Sequence, residues 1–226
     1  MNTHAASIST AAPGPGVWVP AAVLAAAGMA AFLFGAAGEH PGRAWQAYLI
    51  NFLLWSSVAQ GAVLFAAVTR VTRARWSGPL EGLSGAFAGF FPLSFVLFLV
   101  LIFGGPHLFP WVHEELHGKE SWLNVPFVLA RNGAGLLILY GVGFMFLRQA
   151  LRLRMGSAPT RSGLRRLLAG SAPESPVEVE RIRGRMARWA GLYCFVFALV
   201  LSLIGFDLVM SLDPHWYSTL FGAYHF

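Results

Sequence analysis

Charge is what this chain has least of. Only 12% of its 226 residues are Asp, Glu, Lys or Arg, against about 25% in an ordinary soluble domain. So few charges cannot coat a water-facing globule of this size, and the shortage points to a bilayer as solvent. Cysteine is scarcer still. A single Cys194 excludes a disulfide framework and a thiolate metal cage. No Cys-x-x-Cys-His string occurs, which excludes covalent c-type haem attachment. The long apolar runs contain no internal histidine, which argues against b-type haem held between helices. Residues 1–16 carry no Lys or Arg, so the basic region that opens a secretory signal is missing. They read as a disordered, uncleaved tail.

What is present is apolar. Hydrophobic residues make up 56% of the chain and the mean hydropathy is +0.60. About 20 apolar residues suffice for a helix to span the hydrocarbon. Five runs qualify: 17–35, 47–68, 84–103, 127–147 and 189–210. Backbone groups in lipid must be satisfied within the segment, and unbroken apolar runs exclude alternating barrel strands, so the runs predict helices. The expected fold is an all-α, polytopic transmembrane helical bundle with five complete spans and the start of a sixth near Trp216. By segment, 1–16 is the tail, 17–150 a four-helix transmembrane bundle and 151–188 a basic cytoplasmic connection. Residues 189–226 then hold the fifth helix and a polar outer-face segment. Within the connection, 178–188 suggests a short interfacial helix.

The basic residues set the orientation. Arg70, Arg73 and Arg75 follow the second run, and ten arginines from Arg148 to Arg188 follow the fourth. Only Arg43, Lys119 and Arg131 fall to the other side, so the positive-inside rule places the amino terminus in the cytoplasm. The pI near 10.2 thus reports topology and gives no reason to expect nucleic acid. Seven of the eight tryptophans flank the runs at headgroup level, and Trp55 alone lies deep.

The titratable groups gather at the opposite, arginine-poor end. His40, His107, His113, His117 and His215 lie there, with Glu39, Glu114, Glu115, Glu120, Asp207 and Asp213. Imidazoles that titrate near neutral pH can accept and release protons. His113 and His117 are four apart, and with Glu114 they resemble the zinc-protease pattern H-E-x-x-H. That pattern needs a longer helix and a third ligand, whereas Gly118 follows at once, so no metal site is expected. Two ionisable residues fall inside runs, where they are costly and call for a role. Arg131 enters the fourth run as Asp207 leaves the fifth. Antiparallel neighbours put them at similar depth, so they are expected to pair, with Asn132 satisfying spare hydrogen bonds. Either a neutral pair that fixes helix register or a proton relay would explain them. On the second run Ser56 and Gln60 share a face, a pattern that usually makes interhelical hydrogen bonds.

The string 206–224, centred on Ser211-Leu212-Asp213-Pro214-His215-Trp216-Tyr217-Ser218-Thr219, resembles a signature of the membrane subunits of alternative complex III. These are bacterial quinol:electron-acceptor oxidoreductases. The resemblance is closest to the ActF-type subunit within the NrfD/polysulfide-reductase-like family. Supporting stretches are 48–55, 72–76, Pro110-Trp111 and 122–127. The resemblance implies membrane four-helix bundles, no cofactor bound by this chain, and periplasmic iron–sulfur and multihaem cytochrome partners beside a larger NrfD-like subunit. It also implies quinol or menaquinol chemistry, with cytochrome c as an acceptor, at the outer face of the bacterial inner membrane. Family members continue with further helices, so the chain reads as a truncated amino-terminal part.

On that reading Asp207, Asp213, His215 and Arg131 are the candidate proton-transfer residues, and His113, His215 and Trp216 the candidate quinone-binding residues. A proton acceptor near the quinol hydroxyl is chemically required. The alternatives are a structural or proton-conducting subunit without its own quinone site, or a small secondary transporter, which would show broken helices and repeated halves.

Overall fold

The computed structural model describes residues 14–74, 76, 85–115, 118–155, 170–173 and 175–225. Most of the expected tail, Arg75, His117, Arg161, Arg165 and Arg166 lie outside the described residues. Among the described residues the fold is all-helical without strands. The long helices are α1 (Pro15–Ala36), α2 (Pro41–Val71), α3 (Phe91–Leu108), α4 (Val125–Met155) and α5 (Pro176–Ile204). A π-helical turn, Gly205–Val209, and a 3-10 turn, Met210–Leu212, continue directly from α5, and a one-turn helix, α6 (Phe221–Tyr224), closes the described chain. Among the described residues, five helical segments are long and apolar enough to cross a membrane.

Several helices overrun the apolar runs that predict them, α2, α4 and α5 each beginning before its run. At about 1.5 Å per residue, the 31 residues of α4 extend roughly 46 Å, well beyond a hydrocarbon core of about 30 Å. Backbone hydrogen bonding has no reason to stop where lipid does. The segment 178–188 is corrected on the same ground: it is the first part of α5, not a separate interfacial helix. Ser175 caps that helix by accepting from the Glu178 backbone N–H at 3.2 Å, with Pro176 at the first helical position, a Ser-Pro-x-Glu start signal. The sixth helix does not begin near Trp216. Residues 216–218 are irregular and helix resumes at Phe221.

Two compact units divide the chain, 1–48 and 49–226, with the boundary within α2. In the first unit, the Phe32 ring meets Trp45 edge-on and also contacts Tyr48, both at 5.1 Å between centroids. In the second, α4 packs most extensively on α5 and also on α3. Lipid offers no hydrophobic drive for such packing, so small residues that allow close approach do the work. A Cβ on Gly143 would lie 2.9 Å from Tyr193 and 3.1 Å from Phe91, and one on Gly133 3.0 Å from Phe98. The outer faces are apolar instead, with Ile50, Leu54, Phe103, Ile138 and Phe195 exposed.

The second unit has a basic end and a titratable end. At the basic end Arg70 Nη2 reaches Met186 Sδ at 3.6 Å, and Arg152 Nη2 pairs with Glu178 Oε1 at 2.8 Å. At the other end Lys119 Nζ donates to Pro214 O at 2.9 Å, tying the α3–α4 connection to the segment after α5.

Candidate functional site

Asp207 sits in the π-helical turn and is 1% exposed. Its carboxylate receives three donors. Arg131 Nε gives 2.6 Å to Oδ2 and Nη2 gives 2.5 Å to Oδ1, the side-on fork that matches a carboxylate best. Asn132 Nδ2 adds a bond of 2.7 Å to Oδ2 and a second of 2.8 Å to Val128 O. The expected pairing of Arg131 with Asp207, with Asn132 beside them, is therefore present.

Asn132 is fully buried, and its amide orientation is fixed by its surroundings. Both neighbours of Nδ2 are acceptors, so the nitrogen must face them. Oδ1 is left without a partner. A buried amide carbonyl with nothing to accept from is a vacant acceptor for a hydroxyl or N–H group.

Arg131 is held on its other sides as well. Nη1 donates to Trp122 O at 3.0 Å, and the guanidinium carbon lies 3.9 Å above the Trp122 ring and 4.7 Å from that of Phe127. Flat, weakly hydrated guanidinium suits aromatic faces. Ser211 Oγ donates to Asp207 O at 2.6 Å and accepts from Trp111 Nε1 at 3.3 Å. That serine satisfies a carbonyl where the helical ladder changes from π to 3-10 spacing, a type of irregularity often found at functional positions. Trp122, Phe127, Trp111 and Ser211 are not singled out by sequence reasoning. In the sequence they enter only as interface tryptophans or within the stretches that carry the family resemblance, and nothing there marks the π turn.

The remaining candidates form a separate, exposed rim. His215 Nε2 lies 3.6 Å from Glu114 Oε2, and the His215 backbone N–H donates to Asp213 Oδ1 at 3.2 Å. His113 Nε2 is 3.1 Å from Pro106 O. Trp216 packs its ring edge-on against Phe221 at 5.5 Å and is half exposed. Asp213, His215 and Glu114 are thus brought together, whereas the Asp207 carboxylate is engaged by Arg131 and Asn132, and His113 lies against the Pro106 carbonyl. His113 ends a 3-10 turn and Glu114 is extended, so the zinc-protease arrangement on one helix face is not formed there. No three His, Cys, Asp or Glu side chains converge on a metal position among the described residues.

Beyond the rim, His225 packs against Gly205, where a Cβ would come within 2.9 Å of the His225 Cβ. Burial pushes this imidazole below its usual value, and its Nε2 has no partner. An apolar cavity of about 270 Å³ lies elsewhere, between α2 and the start of the third span, lined by Trp55, Val58, Ala59, Ala86, Phe87 and Phe90. It shares no residue with the Asp207 cluster.

No protein-family model matches this chain. No curated protein matches it either.

Proposed function

We propose that this chain is a membrane subunit of a quinol:electron-acceptor oxidoreductase complex of the alternative complex III kind, and that its Asp207 cluster takes part in quinol binding or proton transfer. The observation that carries this reading is the buried Arg131–Asp207–Asn132 constellation at the titratable end of the spans. Ionisable groups in a span are retained for a purpose, and the vacant Asn132 Oδ1 suits the O–H of a quinol. The signature around Asp213-Pro214-His215-Trp216 supports the same assignment.

In the proposed reaction one quinol becomes one quinone, releasing two protons and two electrons. The electrons pass to an iron–sulfur partner and on to the multihaem cytochrome. Asp207, Asp213, His215 and Glu114 are the groups at the arginine-poor end proposed to carry the protons outward. His113, His215 and Trp216 are the proposed quinone-binding residues. The chain itself binds no cofactor, and the quinol or menaquinol is substrate. Thirteen of the sixteen basic residues fall on one side, which supports an inner-membrane orientation with the amino terminus in the cytoplasm and the rim outside.

One observation favours a second reading. Asp207 is fully engaged by Arg131 and Asn132, as a purely structural pair that fixes helix register would be; quinol chemistry would then reside in the larger partner subunit. Photo-crosslinking of the purified complex with an azidoquinone separates the two. Label on the peptides carrying Trp122–Arg131 or His215–Trp216 supports the first. Label confined to the partner supports the second.

A further inference from the structure

We infer that the centre of the helical bundle binds water, on the carboxamide of Gln60 between α2, α3, α4 and α5. This inference is independent of the quinol reading. Gln60 is 1% exposed, and neither its Oε1 nor its Nε2 has a hydrogen-bond partner. A carboxamide offers two N–H donors and an oxygen with two acceptor positions, and exchanging the two atoms leaves both still unpaired. The residue lies deep in a span, where lipid supplies no partner.

The groups around it are polar, neutral and also incompletely matched. Ser56 Oγ lies 2.5 Å from Ser94 Oγ, and Ser94 Oγ lies 2.7 Å from Tyr140 Oη. Three hydroxyls carry three protons, and two hydrogen bonds use two of them, so one O–H still needs an acceptor. Tyr193 Oη donates to the backbone carbonyl of Gln60 at 3.1 Å, leaving its own lone pairs open. The Gln60 side chain stands beside the Tyr140 hydroxyl without closing a hydrogen bond to it. The site therefore needs an occupant that both donates and accepts. None of the five side chains carries a charge at neutral pH, so an ion has no counter-charge there. Water meets both requirements, accepting the spare hydroxyl proton and donating to Gln60 Oε1.

Hydroxyl-radical footprinting by synchrotron radiolysis tests this on the full chain in lipid nanodiscs, because bound internal water oxidises the side chains it touches. Tyr140 and Tyr193 are expected to be labelled at rates within about threefold of the exposed Tyr217 and Tyr224, although Tyr193 is fully buried. In Gln60→Leu both rates should fall at least fivefold, with no rise in melting temperature. Ser56→Ala provides the same comparison at Tyr140 should Gln60→Leu fail to fold. Unlabelled Tyr140 and Tyr193 in the wild type would overturn the inference. So would labelling that Gln60→Leu leaves unchanged, or a clear rise in melting temperature in that variant, the mark of a dry site relieved of an unpaired amide.

Discussion

Asp207 and Arg131 meet through two parallel hydrogen bonds, Nε to Oδ2 at 2.6 Å and Nη2 to Oδ1 at 2.5 Å, with side-chain exposures of 1% and 11%. The two helices that carry them thus share a neutral ion pair out of water. Removing one partner strands the other charge, and a broken buried pair typically costs about 3–5 kcal/mol. Asp207→Ala is expected to lose stability on that scale in detergent unfolding. The double variant Arg131→Met/Asp207→Leu should cost far less than the sum of its single changes. Additive losses would mean that the pair contributes no coupling.

Asn132→Leu is close in size but removes the bonds to Asp207 and Val128 O. Hydrogen bonds between membrane helices average about 0.6 kcal/mol, while bonds to a charged group reach about 1.5–3 kcal/mol. The expected loss is on the order of 2 kcal/mol by thermal unfolding, and azidoquinone labelling near Arg131 should weaken with it. Undiminished labelling would show that Oδ1 is not an acceptor for the ligand.

Two glycines of α4 give opposite expectations. A Cβ on Gly143 would press on Tyr193 and Phe91, whereas a Cβ on Gly141 meets nothing within 4 Å. Gly143→Ala should destabilise by about 1–3 kcal/mol through overpacking. Gly141→Ala should be neutral or stabilise slightly, since alanine is the better helix former by about 1 kcal/mol. Equal effects at both positions would contradict the packing described for α4 and α5.

His225 supplies a pH dependence. Burial against Gly205 lowers its pKa from 6.5, so docking favours the neutral imidazole. Docking is then fully present above about pH 6.5 and weakens as pH falls below it, until the docked imidazole also takes up a proton. The His225 amide, bonded to Phe221 O at 3.1 Å, should exchange faster at pH 5.5 than at pH 7.5 after correction for intrinsic rates. In His225→Phe that difference should vanish. Its persistence would assign the effect to another group.

The spans and the central ion pair were legible for the same reason: lipid forces both. Apolar runs must be helices, and a charge inside one needs a counter-charge at its own depth. Antiparallel order made Arg131 and Asp207 the only such match. Helix ends were less legible, because α5 gains its first turns from polar residues that hydropathy reads as connection, although the Ser175–Glu178 cap signal was there. The π turn left no trace, since Gly205, Phe206 and Asp207 suit an ordinary α-helix equally well. On α2 the shared face of Ser56 and Gln60 was visible, but the groups around them, Ser94, Tyr140 and Tyr193, come from three other helices. No periodicity within one segment reports which face meets which neighbour.

Steady-state quinol oxidation by the assembled complex carrying Asp207→Asn tests the central claim most directly, with subunit composition checked by native electrophoresis. The substitution keeps the shape of the side chain but replaces the carboxylate with an amide, which does not exchange a proton in this way. The account predicts that kcat falls at least tenfold in a fully assembled complex while KM changes little. Wild-type turnover in that complex would contradict it and leave Asp207 a structural partner of Arg131.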